Sequence, residues 1–216
     1  MSAFIYTPPQ EPLKILHADD DLVVVAKPPG LLSVPGRGAE RADCLIGRLR
    51  GEFPSVRLVH RLDLDTSGVM VFALTAQAQA HLGQQFEARR VRKRYVALVD
   101  GHLNEPRGRV DLPLIVDWPN RPRQKVCLET GRPAQTDWRV LRAEGRNTRM
   151  RLVPVTGRSH QLRVHMQALG HPILGDTLYA SGAAQDWPRL MLHAEELRLT
   201  HPMTGQPHAF RAGVPF

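Results

Sequence analysis

Two cysteines in 216 residues, Cys44 and Cys127, are too few and too isolated for a disulfide framework or a Cys-x-x-Cys metal knuckle, and they suit a reducing compartment. No stretch approaches the roughly 18 unbroken apolar residues needed to span a bilayer. Met1-Ser2-Ala3-Phe4 has no basic leader region, so a soluble cytoplasmic chain with no membrane partner is expected. The ten histidines include no His-Glu-x-x-His, and His160 and His165 would stand about 140° apart round a helix, so no metal is expected. Internal repeats and low-complexity linkers are also missing. One domain over residues 1–216 is the expectation, since a chain of this size buries about 70% of its unfolded surface on folding.

Negative charge is the scarcer sign. Asp and Glu total 21 against 29 Lys and Arg, a formal +8 that favours a polyanionic partner over an acidic small molecule. Nucleic acid leads, and an anionic membrane surface is the alternative.

Residues 1–12, with Pro8-Pro9 and Pro12, read as a surface arm. Leu22 to Ala26 is a buried strand ending in the stiff turn Lys27-Pro28-Pro29-Gly30, which aims a lysine. A short helix is expected over Asp43 to Glu52. Val69 to Leu74 is a central strand, and Thr75 caps a helix whose Leu82 and Phe86 share a face. That helix runs into Arg89-Arg90-Val91-Arg92-Lys93-Arg94, ordinarily a solvated face but here leading straight to Tyr95 at a strand start, where it can serve as a phosphate-binding rim. Arg107 to Arg132 should be irregular and exposed; within it Trp118 either stacks a base or pins the loop to the core. Gln135 to Leu141 and Arg149 to Val155 read as paired strands. His160 to Leu169 reads as a helix with Leu162, Met166 and Leu169 as its buried stripe, Gly170 as its stop, and Arg158 and Ser159 at an anion-favouring start. Strands over Arg189 to Ala194 and Glu196 to Thr200 close the chain.

The stretch His60-Arg61-Leu62-Asp63-Leu64-Asp65-Thr66-Ser67-Gly68 packs charge against a turn at the mouth of the central strand. It is either a solvated loop or a site of chemistry. Spacing does not choose between Asp63 and Asp65, because residues two apart on an extended chain point to the same side.

His60-Arg61-Leu62-Asp63-x-x-Thr66-Ser67-Gly68 resembles the active-site motif of the RluA-type pseudouridine synthases, and Gly157 to Met166 resembles their second diagnostic motif. The resemblance covers nearly the whole chain. It implies an α+β fold: a pseudouridine-synthase domain with a mixed, mostly antiparallel sheet flanked by helices and loops, and a catalytic cleft across the sheet. It implies Asp63 as the catalyst and Arg163 as its ion-pair partner. Lys93-x-Tyr95 matches the motif whose tyrosine lies against the target base. Lys27 would help frame the cleft, Arg61 fill or brace the gap left by the flipped base, and Leu192 wall the base pocket. His60, Arg158 and His160 complete the substrate-binding set. Some family members carry an S4-type RNA-binding domain, for which no room is expected here. The implied substrates are a uridine in a stem-loop of large-subunit (23S) rRNA and one in the tRNA anticodon stem-loop, with no DNA partner and a single copy of the chain acting.

Isomerising uridine breaks N1–C1′, turns the detached uracil and joins C5 to C1′, with no redox change and no phosphoryl donor, so no cofactor is expected. The base must first be flipped out, at a cost of a few kcal/mol. Asp63 either attacks C1′ or removes the C2′ proton to give a glycal, and Tyr95 stacks on uracil and takes the C5 proton directly or through water. Two rivals remain: a non-catalytic RNA-binding module and a hydrolase using Asp63 and Asp65 as a carboxylate pair. Dialysis against a chelator should leave the turnover rate unchanged. A large loss restored by zinc or magnesium, with the RNA fold controlled, would overturn metal independence.

Overall fold

The computed structural model describes residues 5–216, so the first four residues of the expected arm lie outside the described part. In chain order the elements are β1 (Lys14–Ala18), β2 (Leu22–Lys27), α1 (Leu45–Leu49), β3 (Arg57–Leu58), β4 (Ser67–Ala73) and α2 (Ala76–Glu87). They continue with β5 (Arg92–Asp100), β6 (Arg107–Asp111), β7 (Leu114–Val116), β8 (Gln124–Val126), β9 (Gln135–Glu144), β10 (Asn147–Pro154), α3 (Gln161–Ala168), β11 (Leu192–Thr200) and β12 (Pro207–Arg211). The residues form two compact units, one running to Arg92 and including Glu195–Gly213, the other Lys93–Ala194 with Val214–Phe216.

In the first unit β2 lies antiparallel between β1 and β4, with Val24 opposite Val71 and Lys27 opposite Gly68. All seven residues of β4 are buried, which a continuous apolar run produces when both faces of a strand are covered. Helix α2 packs against β4. Thr75 caps it as expected, its hydroxyl accepting the Ala78 N–H at 3.0 Å. Gln85 then clamps the end of β11: its amide donates to Thr200 O and accepts from Thr200 N. In the basic run Arg89, Arg90 and Arg92 are exposed, Val91 is buried, and Lys93 and Arg94 are half-buried. Part of the arm is tied down, since the Tyr6 hydroxyl donates to Asp43 O and accepts from Leu32 N. Helix α1 is shorter than expected, five residues.

The second unit orders its strands β5-β10-β9-β6, all antiparallel. β9 and β10 form the expected hairpin around Gly145-Arg146, and β10 alternates half-buried and buried residues along its length. Gly108 lies opposite Trp138, where a Cβ would stand 2.5 Å from the indole, so only glycine fits.

Three expectations are corrected. Residues 107–132 are not irregular: β6 joins the sheet and β7 pairs β8, three-residue strands too short for a periodic signal. The last strand pair is instead one strand, β11, followed by β12, which sequence reading missed. Helix α3 is not striped, because Gln161 through Met166 are all buried while Leu169 is only partly so.

Asp19 fixes the turn from β1 to β2. Its Oδ1 accepts the N–H groups of Asp21 and Leu22, each at 2.9 Å, and its Oδ2 receives His17 Nε2 at 2.7 Å and His201 Nε2 at 3.1 Å. Burial alone would raise its pKa; these hydrogen bonds prevail and lower it from 3.8 to about 2. A depressed carboxyl stabilises the fold above its unfolded value and loses that stabilisation as pH falls through its folded one. Since the side chain is 31% exposed, solvent screening holds the effect to about 1 kcal/mol. Asp19→Asn should therefore cost roughly 1 kcal/mol at pH 7 and flatten the loss of urea stability between pH 4 and pH 2. An unaltered pH profile would remove Asp19 from this role.

Candidate active site

In the first unit the residue before Asp63 and the residue after it are each pinned. The Ser33 hydroxyl donates to Leu62 O at 2.7 Å and accepts the Leu62 N–H at 3.2 Å, while Leu64 O receives the Gly30 N–H at 3.0 Å and Lys27 Nζ at 2.8 Å. Gly30 can aim its N–H this way because its φ is +73°. Lys27 is 1% exposed, and its ammonium also reaches Pro28 O and Leu31 O, so three N–H donors meet three carbonyls. The lysine expected to frame the cleft is thus an internal brace of the loop that carries Asp63. Asp63 is half-buried, Arg61 exposed, and Asp63 O accepts the Thr66 N–H in the turn into β4.

His60 is occupied at its ring: Nε2 accepts the Val71 N–H at 3.1 Å and the imidazole stacks on Phe86 with centroids 4.6 Å apart. This fixes it against β4 and α2 through the face that Phe86 presents.

The second unit gathers Lys93, Tyr95, Arg158, His160, Arg163 and Leu192. Lys93 Nζ lies over Gly157, 3.4 Å from where a Cβ would stand, so the basic strand start and the turn into α3 are neighbours. Tyr95, opposite Leu152 across the ladder, packs against the core that contains Leu192, which is 3% exposed. Leu192 is therefore a core residue first.

Arg163 is forked onto a carboxylate that sequence reading missed. Its Nε donates to Asp176 Oδ2 and its Nη2 to Asp176 Oδ1, both at 2.7 Å, and both side chains are almost fully buried. Asp176 Oδ1 also accepts the N–H groups of Leu178 and Tyr179. The Tyr179 ring lies 5.1 Å from the Arg163 guanidinium. Burial pushes the Tyr179 phenol up to about 12, so it stays protonated; its oxygen accepts the Gln124 N–H, and the hydroxyl hydrogen-bonds His160 Nδ1, both at 2.7 Å. His160 holds φ 53°, a left-handed conformation uncommon for a non-glycine residue, at the start of α3.

The expected anion site at that start is altered. The Arg158 N–H is taken by Gln161 Oε1, and Arg158 Nε donates to Pro133 O. Gln161 meets four partners, adding Thr156 Oγ1, Gln135 O and Thr136 Oγ1. Thr136 passes its hydroxyl proton to His165 Nδ1, and His165 Nε2 donates to Leu112 O. Burial lowers the His165 pKa, so the ring is neutral and both nitrogens are used internally.

Among the described residues Asp19, Asp21 and His201 bring ligand atoms within 4.8 Å of one another. The chemistry does not fit a cation. His201 Nδ1 accepts the N–H groups of Met203 and Thr204, which leaves the ring proton on Nε2, donated to Asp19.

The profile of the RNA pseudouridylate synthase family matches residues 21–168. The dual-specificity RNA pseudouridine synthase RluA of Escherichia coli (strain K12) is 56% identical over 214 residues, covering 98% of each chain. Its namesake from Pasteurella multocida (strain Pm70) is 51% identical over 219 residues and the full length of both. Among solved structures, human RNA Pseudouridylate Synthase Domain Containing 1 has a TM-score of 0.81 at 32% identity, covering 97% of this chain and 87% of that one. Human RNA Pseudouridylate Synthase Domain Containing 4 has 0.76 at 26% identity, covering 94% and 88%.

Asp176→Asn leaves a buried guanidinium facing a neutral amide, and removing one partner of such a pair costs about 3–5 kcal/mol. The expected result is a midpoint shift of that size in urea unfolding at unchanged m-value. A loss below about 1 kcal/mol would mean that Arg163 draws its compensation from elsewhere.

Proposed function

The chain belongs to the RNA pseudouridylate synthase family, an isomerase family, and from that premise we propose that it converts uridine to pseudouridine in large-subunit rRNA and in tRNA anticodon stem-loops. Both substrate classes rest on the dual-specificity name of its relatives and on the motif resemblance. The cytoplasm is the proposed place of action; no described helix is long and apolar enough to cross a membrane. The family profile draws on segments of both compact units, which supports one catalytic domain.

The observation that carries the site assignment is the double pinning of Asp63. A group that attacks C1′ or abstracts the C2′ proton must be held in place before the substrate arrives, since a misplacement of about 1 Å can cost on the order of 100-fold in rate. Leu62 and Leu64 supply that hold through Ser33, Gly30 and Lys27. In this proposal Asp63 is the catalytic carboxylate, and Arg163, oriented by its fork onto Asp176, is the cationic catalytic residue of the second unit. Tyr95 stacks on the uracil and handles the C5 proton. Arg61, exposed beside Asp63, takes the place of the flipped base. Lys93, Arg158 and His160 face the RNA, while Lys27 and His60 act as positioning residues. Breaking N1–C1′ and forming C5–C1′ transfers one proton from C5 to N1 overall, so atoms and electrons balance with no added reagent.

Asp63→Asn should abolish pseudouridine formation while RNA affinity falls little, because phosphate contacts and stacking dominate binding. Asp65→Asn is the control and should retain most activity. A dead Asp65→Asn beside an active Asp63→Asn would sink the assignment and revive a carboxylate-pair mechanism.

A further inference from the structure

The chain has three tryptophans: Trp138 is buried, Trp187 half-buried, and Trp118 is 65% exposed. Trp118 opens the turn that joins β7 to β8, and the Arg121 guanidinium lies over its ring at 4.3 Å from the centroid. A guanidinium stacked on an indole stiffens both, leaving a flat aromatic platform with a fixed positive charge beside it. The hairpin carries Arg121, Arg123 and Lys125 against one acid, Asp117, and that acid is engaged within the turn by Lys125 at 3.5 Å and by Asn120 at 2.8 Å. Among the described residues neither Arg121 nor Arg123 has an ion pair; Arg123 instead lies over the Tyr179 ring at 5.4 Å.

Within the second unit the hairpin is also tied to the start of α3. Gln124 N–H, next to Arg123, donates to the same Tyr179 oxygen that bonds His160, and Tyr179 stands beside Arg163. A ligand seated on Trp118 is therefore held by an element anchored directly to the start of α3.

We propose that the β7–β8 hairpin is a second RNA-docking element, on which Trp118 stacks an unpaired base flanking the reacting uridine while Arg121 and Arg123 meet the adjoining phosphates. This rests on the RNA-modifying reading above and adds to it a contact outside the uridine pocket. Charge complementarity selects the occupant. Two unpaired guanidinium groups interleaved with an exposed indole suit a chain of bases and phosphates, in a protein whose net charge is +8. A protein partner would need to bury those cations opposite carboxylates of its own.

Full-length Trp118→Ala is titrated with an RNA stem-loop bearing an unpaired loop and with the fully paired duplex of the same length. Stem-loop affinity should fall about five- to hundredfold, duplex affinity should stay within about twofold, and the salt slope should not change, because stacking releases no counterions. Trp118→Phe should recover most of the loss. The melting temperature serves as the folding control, and an exposed side chain should leave it unmoved. Unchanged stem-loop affinity in Trp118→Ala overturns the proposal and leaves the hairpin for a protein partner. An equal loss for stem-loop and duplex also overturns it, since that is the signature of general charge. Pseudouridine mapping of total RNA treated with the wild-type protein, run alongside, fails only if the functional reading itself is wrong.

Discussion

A buried lysine meeting three carbonyl oxygens governs the candidate site. An ammonium at 1% exposure is unfavourable unless each N–H finds an acceptor, and Lys27 finds Pro28 O, Leu31 O and Leu64 O. Leu64 O belongs to the residue after Asp63. The loop cannot drift without stranding a buried charge, so the desolvation penalty that makes a lone buried lysine improbable here becomes a restraint on the segment that carries Asp63. Ser33 repeats the device on the other side with a neutral group, closing both hydrogen bonds of Leu62 through one hydroxyl. Holding the backbone from both flanks fixes where the Asp63 side chain starts, the kind of restraint that a preorganised site needs.

The second unit applies the same logic to a helix. α3 buries Gln161, Arg163 and His165 on successive faces, and such a segment is stable only if every polar group is matched, because low dielectric strengthens each bond made and raises the cost of each one missed. Gln161 uses four partners, His165 both nitrogens, and Arg163 a forked carboxylate. The left-handed His160 at its head costs of order 1–3 kcal/mol and is held by its hydrogen bond with Tyr179, whose phenol stays protonated because burial raises its pKa.

The central strand and α2 were legible because their signals are local: a six-residue apolar run for β4, and Thr75 ahead of Leu82 and Phe86 for the helix. The family was legible through motifs that run unbroken in sequence. What sequence reading missed lies in partners brought together by folding. Ser33 meets Leu62 across 29 positions, Asp176 meets Arg163 across 13, and Tyr179 meets Gln124 across 55. No periodicity connects such pairs. One weak signal existed, since Asp176 lies in the loop that follows the helix carrying Arg163, and an arginine drawn into a core demands a nearby carboxylate. The β7–β8 hairpin was hidden for another reason: three-residue strands among Pro and Arg carry no alternation to detect.

The charge of this protein divides into two populations that obey different physics. Arg163 with Asp176, and Glu196 with Arg198 and Arg211, involve carboxylates at 0% and 3% side-chain exposure. Ions in solution screen the Arg163–Asp176 contact poorly, because both partners are buried, so it holds its geometry over a wide range of salt. The surplus cations that make the chain +8 stand elsewhere, in the outward part of Arg89–Arg94 and in the β7–β8 hairpin. Those charges act across water and weaken as salt rises. Flipping a base costs a few kcal/mol, which an exposed, salt-sensitive surface and aromatic stacking can offset. Separating the two populations lets RNA affinity vary with conditions while the buried Arg163–Asp176 fork does not.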